Sequence, residues 1–276
     1  MTEETIDFGI FKLVIDNQDG GGRYYKDPKF WADLICPIQQ EIIERFKPNV
    51  FLDIGANYGF TSLIHFTKNP DCSIIAVEAS PILIPFLKKN LHANGCNSFT
   101  VIKAVCSDES ISESTFSLNP QSSQDNRVIG TESWHKVNVD STTIDSLLKP
   151  ITSDDFVYIK IDVQGWEERV FKGGLNYMSQ TDNWIIKTEF APYWLKSQNT
   201  DPISFLKHLV SKYVVAEMPN RRRFRGDYLK ALIRSSLKQD DCLAFVDYIQ
   251  SLAKRNSVDI GWCDLIVLPL PIAERL

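Results

Sequence analysis

Several acids and one lysine stand in this chain where chemistry can follow. Asp53, Glu78 and Asp108 each come at or just past the end of a short apolar run, and Lys160, Asp162 and Glu189 repeat the pattern further on. Charge beside a buried strand is costly unless it is paired or meets a ligand. The first acid lies in "FLDIGANYGFTS" (51–62), where two glycines flank a loop. A phosphate-binding P-loop needs a closing Gly-Lys-Ser/Thr, and nothing like it follows Gly59. A dinucleotide loop needs G-x-G-x-x-G, with glycine wherever pyrophosphate or helix approaches the backbone. Asn57 and Phe60 occupy those positions here, and Asp53 would repel a pyrophosphate.

D-x-G-x-x-x-G suits S-adenosylmethionine, which carries an ammonium, a carboxylate and a sulfonium but no phosphate. Gly55 and Gly59 would bring backbone close to its methionine part. The next helix N-terminus can receive its carboxylate, and Asp53 can offset positive charge directly or through water. The alternative is a tight strand-to-helix turn with a helix-capping acid. Glu78, followed by Ala79, stands where a carboxylate can accept both hydroxyl protons of a ribose. Asp108 can accept from an adenine amino group, or simply cap a turn. The expected cofactor set is therefore Asp53, Gly55, Asn57, Gly59, Glu78, Ala79 and Asp108.

"YIKIDVQGWEERVFKGG" alternates Lys160 and Asp162 with Ile159 and Ile161, and "WIIKTEF" repeats this with Glu189. Ligands bind at the carboxyl ends of parallel strands, so these side chains are expected in a site. The bland reading is an ion-pair network of Lys160, Asp162, Lys187 and Glu189. His65 and His135 are rival bases, each better read as a helix-face or loop histidine.

Such residues need a scaffold, and the pattern supplies one. From residue 50 to about 190 short apolar runs alternate with helix-like segments, the signature of a parallel sheet with crossover helices. The expected strands are 49–55, 73–79, 99–107, 156–162 and 184–190. They are nearly continuous in apolar character, as strands covered on both faces are. Ser80-Pro81 reads as a helix start, with Pro85 delaying or kinking it, and Gly95 as its end. "FGIFKLVID" reads as one strand and "GGGRYY" as a turn. Further strands are expected at 214–218 and 263–269, with an amphipathic helix over 241–255 whose face carries Leu243, Val246, Ile249 and Leu252. That helix would cover the site or pair with another subunit, leaving a homo-oligomer open. Arg221, Arg222, Arg223 and Arg225 form either a solvated turn or a phosphate-recognition cluster. Tyr24, Tyr25 and Trp31 either wall an acceptor pocket or pack the amino-terminal helix.

The chain has 276 residues, 43% hydrophobic, with formal net charge −5. That balance argues against nonspecific binding of nucleic acid or anionic membrane. Its six cysteines form no C-x-x-C pair and read as core thiols of a reducing compartment. No apolar run is long enough to span a membrane, and the acidic amino-terminal segment lacks a signal-peptide pattern. A cytoplasmic protein is expected.

Taken in order, "LDIGANYGFTS", "VEASP", "NLHANG", "TTIDSLL", "IKIDVQGWEERVFKGG" and "TEF" resemble the FkbM-type methyltransferases of the class I S-adenosylmethionine-dependent superfamily, over roughly residues 37–190. The family's middle motif often reads Asp-Val-Glu-Gly, whereas this chain has Gln164. The resemblance implies an α/β class I fold: a Rossmann-like, mostly parallel sheet with an antiparallel carboxyl-terminal strand and helices on both faces. Residues 1–48 would form an acceptor-side cap and 49–276 the methyltransferase domain, with an insertion at about 219–262. Family members commonly methylate hydroxyls of sugars, polyketides and other small metabolites. Here Asp162 and Glu189 are the expected base or substrate anchor, Lys160 sets their charge state, and no metal is assigned. The acceptor can carry a phosphate. Methylation of RNA or protein, and a non-catalytic S-adenosylmethionine-binding role, are the alternatives.

Overall fold

The computed structural model describes residues 2–28, 37–218, 227–256 and 260–276. Its centre is a nine-stranded sheet. In chain order the strands are β3 (Val50–Ile54), β4 (Ser73–Glu78), β5 (Phe99–Cys106), β6 (Ser114–Leu118), β7 (His135–Thr142), β8 (Val157–Ile161), β9 (Trp184–Phe190), β10 (Val214–Glu217) and β11 (Cys263–Leu268). Across the sheet the order is β10-β11-β9-β8-β3-β4-β5-β7-β6. The six strands from β9 to β7 are parallel neighbours. β11 runs antiparallel to both β9 and β10, and β6 antiparallel to β7. The expected α/β architecture with its antiparallel carboxyl-terminal strand is present, and β6 and β7 extend it beyond seven strands.

Alternation divides the sheet. Val50, Leu52, Ile54, Val157, Ile159 and Ile161 bury one face beneath helices that include Pro202–Lys212 and Cys242–Asn256. Phe51 and Tyr158 point to the opposite face, beneath helices Phe60–Lys68, Ile84–Ala93 and Tyr228–Arg234. Each fully buried large aliphatic contributes roughly 1.5–3 kcal/mol relative to exposure. Coverage of both faces explains why these strands lack polar alternation.

Three local readings change, and one open alternative is resolved. The segment 8–16 is not one strand. A hairpin of β1 (Glu3–Asp7) and β2 (Lys12–Asp16) forms, because Gly9 at φ 79 turns the chain. Gly20–Tyr24 is a helical turn capped by Asp19 rather than an open turn. The helix after β4 starts at Ile84, with Pro85 in its first turn where no amide hydrogen bond is lost. It ends as expected, with Gly95 at φ 80 and Cys96 N–H donating to Leu91 O at 3.1 Å. In Cys242–Asn256 the buried stripe is Cys242, Phe245, Val246 and Ile249, whereas Leu243 is exposed. That helix packs on the core and on helix Pro202–Lys212. Among the described residues no helix is long and apolar enough to cross a membrane.

Candidate active site

Sheet register brings the first charged pair together. Asp53 and Lys160 are direct partners across β3 and β8, both buried. The Lys160 ammonium lies 3.3 Å from Asp53 Oδ1 and 3.6 Å from Asp162 Oδ2, and it donates to Gly55 O at 2.7 Å. Burial alone would depress the Lys160 pKa, but Asp53 and Asp162 outweigh it and hold the ammonium above its ordinary value. Ser62 Oγ donates to Asp53 Oδ2 at 2.6 Å. Asp53 Oδ1 has an ion-pair neighbour but no aligned hydrogen bond. A buried carboxylate oxygen with spare capacity fits a ligand ammonium, directly or through water.

The glycine loop is built around that pair. Gly55, at φ 76, runs so close to the Asp162 carbonyl that a Cβ would collide with it. The loops after β3 and β8 are therefore packed against each other. Asn57 takes the left-handed conformation at φ 51, stabilised by its own Oδ1 accepting from Tyr58 N–H at 2.9 Å. Its backbone N–H donates to Glu78 Oε2 at 2.8 Å, and Ser80 N–H donates to Glu78 Oε1 at 2.8 Å. Burial raises the Glu78 carboxyl, and these two amides pull it back. Gly59, at φ 85, starts helix Phe60–Lys68 without any side-chain cap, so first-turn amides remain for an anion. Asp53 Oδ1, the uncapped helix start and the Glu78 carboxylate ending β4 could hold the ammonium, carboxylate and ribose of S-adenosylmethionine. Ala79 is buried just past Glu78. Asp108 lies further out, accepting from Arg169 at 2.8 Å and from Ser107 Oγ at 2.9 Å.

Beside the loop lies a carboxylate cluster. Gln164, at φ 54, donates its side-chain amide to Asp162 Oδ1 at 3.1 Å and to Glu189 Oε2 at 3.3 Å. Burial, then the charges of Asp162, Glu167 and Asp264, push the Glu189 carboxyl well above the usual range. Glu167 is buried, and its Oε1 accepts from Val163 and Gly165 N–H, both at 3.2 Å. It thereby fixes the loop that presents Asp162 and Gln164. Burial raises the Glu167 carboxyl to about 7. The anticipated four-membered network is divided: Lys160 serves Asp53 and Asp162, while Lys187 pairs with Asp264 at 3.0 Å. Among the described residues no group of three or more His, Cys, Asp or Glu is arranged to hold a metal.

Two segments close over the loop. Asp19 accepts from Gly21 and Gly22 N–H, from Tyr58 OH at 2.9 Å, and from Ser123 N–H at 2.8 Å and Oγ at 2.5 Å. Tyr25 is buried near Asn57, its hydroxyl 3.4 Å from Asn57 Oδ1, whereas Tyr24 is half exposed. Ser123 belongs to the β6–β7 connection, whose Ile129 exchanges N–H and C=O hydrogen bonds with the Gln198 side chain at 2.9 Å each. Trp31 and the Arg221–Arg225 cluster lie outside the described residues. His65 is a core residue stacked on Phe51, ring centroids 4.2 Å apart, and His135 opens β7 in an exposed position. Asp19, Tyr58 and Glu167 were not singled out from sequence. Tyr58 and Glu167 fall inside the quoted stretches 51–62 and 158–174, where the acids at strand ends and the glycines carried the reading, and Asp19 has no periodic or motif signal.

Fold and site together define a class I S-adenosylmethionine-dependent methyltransferase. The chain belongs to the FkbM methyltransferase family: the model of the methyltransferase FkbM domain matches residues 53–213. Its cofactor is S-adenosylmethionine. A search of curated proteins found no sequence match. Among solved structures, the chain is similar to the Podospora anserina methyltransferase PaMTH1 bound to S-adenosylhomocysteine. Identity is 15%, TM-score 0.43, covering 71% of this chain and 79% of that one. It is also similar to M. jannaschii TYW2 in complex with AdoMet, at 12% identity and TM-score 0.42, covering 96% and 85%. A third is precorrin-6y C5,15-methyltransferase from Geobacter metallireducens, at 14% identity and TM-score 0.38, covering 66% and 74%.

Proposed function

We propose that this enzyme transfers a methyl group to a hydroxyl of a small molecule, a sugar, glycan or secondary metabolite. The observation that carries this reading is the Gln164 bridge between Asp162 and Glu189, beside the glycine loop. When bound, S-adenosylmethionine supplies an electrophilic methyl group. Asp53, Gly55, Asn57 and Gly59 would hold its methionine end, Glu78 would accept from the ribose hydroxyls, Asp108 would accept from the adenine amino group, and Ala79 would complete the cofactor set.

A hydroxyl is a weak nucleophile, and a base within hydrogen-bond reach helps it lose its proton. Asp162 would take that proton as an oxygen–methyl bond replaces the sulfur–methyl bond and the thioether leaves, and its partly exposed carboxylate leaves room for an acceptor. Glu189, held toward its neutral form, donates a hydrogen bond to the acceptor and orients it. Lys160 pairs with both Asp53 and Asp162 and so holds the two acids beside each other. Alignment of oxygen with the methyl supplies much of the remaining rate. The described residues 2–28 and 37–48 would form part of the acceptor-side cap. The described cysteines are free and buried, which supports a cytoplasmic location.

The test is transfer of labelled methyl from S-adenosylmethionine into separate pools of sugars and small metabolites, RNA, and protein. Label in an alkali-stable ether of the first pool is the expected result. Label only in RNA or protein would replace this reading. Tight S-adenosylhomocysteine binding without transfer to any pool would favour a non-catalytic role.

A further inference from the structure

The β6–β7 connection carries a buried arginine that the reaction outlined above does not use. Arg127 is only 5% exposed. Its guanidinium stacks on Trp194, 3.6 Å from the ring centroid, and lies 5.0 Å from the ring of Trp134. Backbone hydrogen bonds to Ser117 at 2.9 and 3.1 Å fix its position. Aromatic rings thus hold the plane of the fork and leave its edge for hydrogen bonding.

That edge is poorly satisfied. Nε donates to Asp125 O at 2.9 Å, and the nearest carboxylate, Asp125, stands 3.7 Å from one terminal nitrogen and is itself 41% exposed. Neither terminal nitrogen has a hydrogen bond among the described residues, yet neither is sealed from solvent. Removing a cation from water costs several kcal/mol unless well-placed partners return it. The guanidinium also lies within electrostatic reach of Glu189 and Tyr193. Trp194 follows β9 on helix Pro192–Ser197, close behind Glu189. The Trp194 carbonyl packs against Gly165, in the loop that carries Asp162 and Gln164, so Arg127 on Trp194 stands beside that carboxylate cluster.

We propose that Arg127 forms an anion-recognition subsite for the methyl acceptor, whose carboxylate or phosphate group it engages with the open edge of the guanidinium. A planar fork whose two terminal nitrogens lack hydrogen bonds, one of them only loosely paired with Asp125, matches two oxygens of either group. Neutral sugars have no such group, so this subsite selects among hydroxyl acceptors. The inference rests on the acceptor-side reading of Asp162 and Glu189.

Two measurements keep the claims separate. Calorimetry with S-adenosylhomocysteine comes first, and failure there would remove the functional reading itself. With the protein saturated by that ligand, arginine side-chain NMR then follows titration with inorganic phosphate, acetate and, at equal ionic strength, chloride. The Arg127 Nε–H resonance, assigned by its absence in Arg127→Lys, is expected to shift saturably with phosphate, acetate or both. Affinity should exceed that for chloride by roughly tenfold, and whichever anion binds tighter identifies the group. In Arg127→Gln, bound S-adenosylhomocysteine should persist and anion binding disappear. Should that variant not fold, Arg127→Lys should bind the anion more weakly than wild type. Equal response to all three anions, or undiminished anion binding without Arg127, would overturn the proposal and leave a purely structural clasp.

Discussion

Lys160 and Asp53 are register partners on adjacent central strands, 3.3 Å apart at ammonium and carboxylate and both buried. One lysine thus meets the Asp53 carboxylate, the Asp162 carboxylate and the carbonyl of Gly55. Removing one member of a buried pair leaves an uncompensated charge. Lys160→Met is expected to lose about 3–5 kcal/mol of stability and to weaken S-adenosylhomocysteine binding. Urea unfolding and calorimetry measure both. Wild-type values in both would mean the pair is dispensable.

Gln164 meets two carboxylates with one amide. Gln164→Glu replaces those donors with a third carboxylate, and three carboxylates are a plausible oxygen-ligand set for a divalent cation. Magnesium or manganese should raise the melting temperature of Gln164→Glu by several degrees and leave wild type unmoved. Identical metal responses would show that the amide does not control the cluster.

His65 supplies a pH signature. Burial lowers its pKa from 6.5 to about 3, so the unfolded chain binds a proton there that the folded chain refuses. The resulting stability is complete above pH 6.5 and is lost as pH falls toward 3. The loss at pH 5 is about 2 kcal/mol. His65→Phe should therefore narrow its stability deficit, or turn it into an advantage, between pH 7 and 5. A constant difference between the variants across that interval would contradict the neutral-histidine reading.

Asp19 gathers donors from the amino-terminal turn, Tyr58 and Ser123. Asp19→Ala leaves these donors without their acceptor, and buried orphans cost about 1–3 kcal/mol each. Hydrogen exchange should rise in 17–25 and 119–130 together, with weaker cofactor binding. Exchange that rises in only one segment would show that Asp19 does not couple them.

The strands that carry the site were legible because burial on both faces makes them continuous apolar runs. β6 and β7, "STFSL" and "HKVNVDST", were missed because an edge hairpin keeps polar residues on its open side. Acids at strand ends were visible for the same reason that the strands were: charge is conspicuous beside a buried run. What sequence did not reveal was partnership. Gln164 reaches Glu189 across 25 residues and Asp19 reaches Ser123 across 104, and no local pattern encodes either. Gly55 was legible as a loop glycine, but its collision partner, the Asp162 carbonyl, belongs to another strand's loop. Arg127 sits in a polar connection without periodicity, and only the fold brings it to Trp194.

The assignment of Asp162 as the base is tested most directly by pairing two readings on Asp162→Ala: the S-adenosylhomocysteine dissociation constant and methyl transfer to a hydroxyl acceptor. Binding within about threefold of wild type, with transfer reduced at least a hundredfold, is the expected result for a lost general base. Wild-type transfer in Asp162→Ala, with cofactor binding intact, would contradict it.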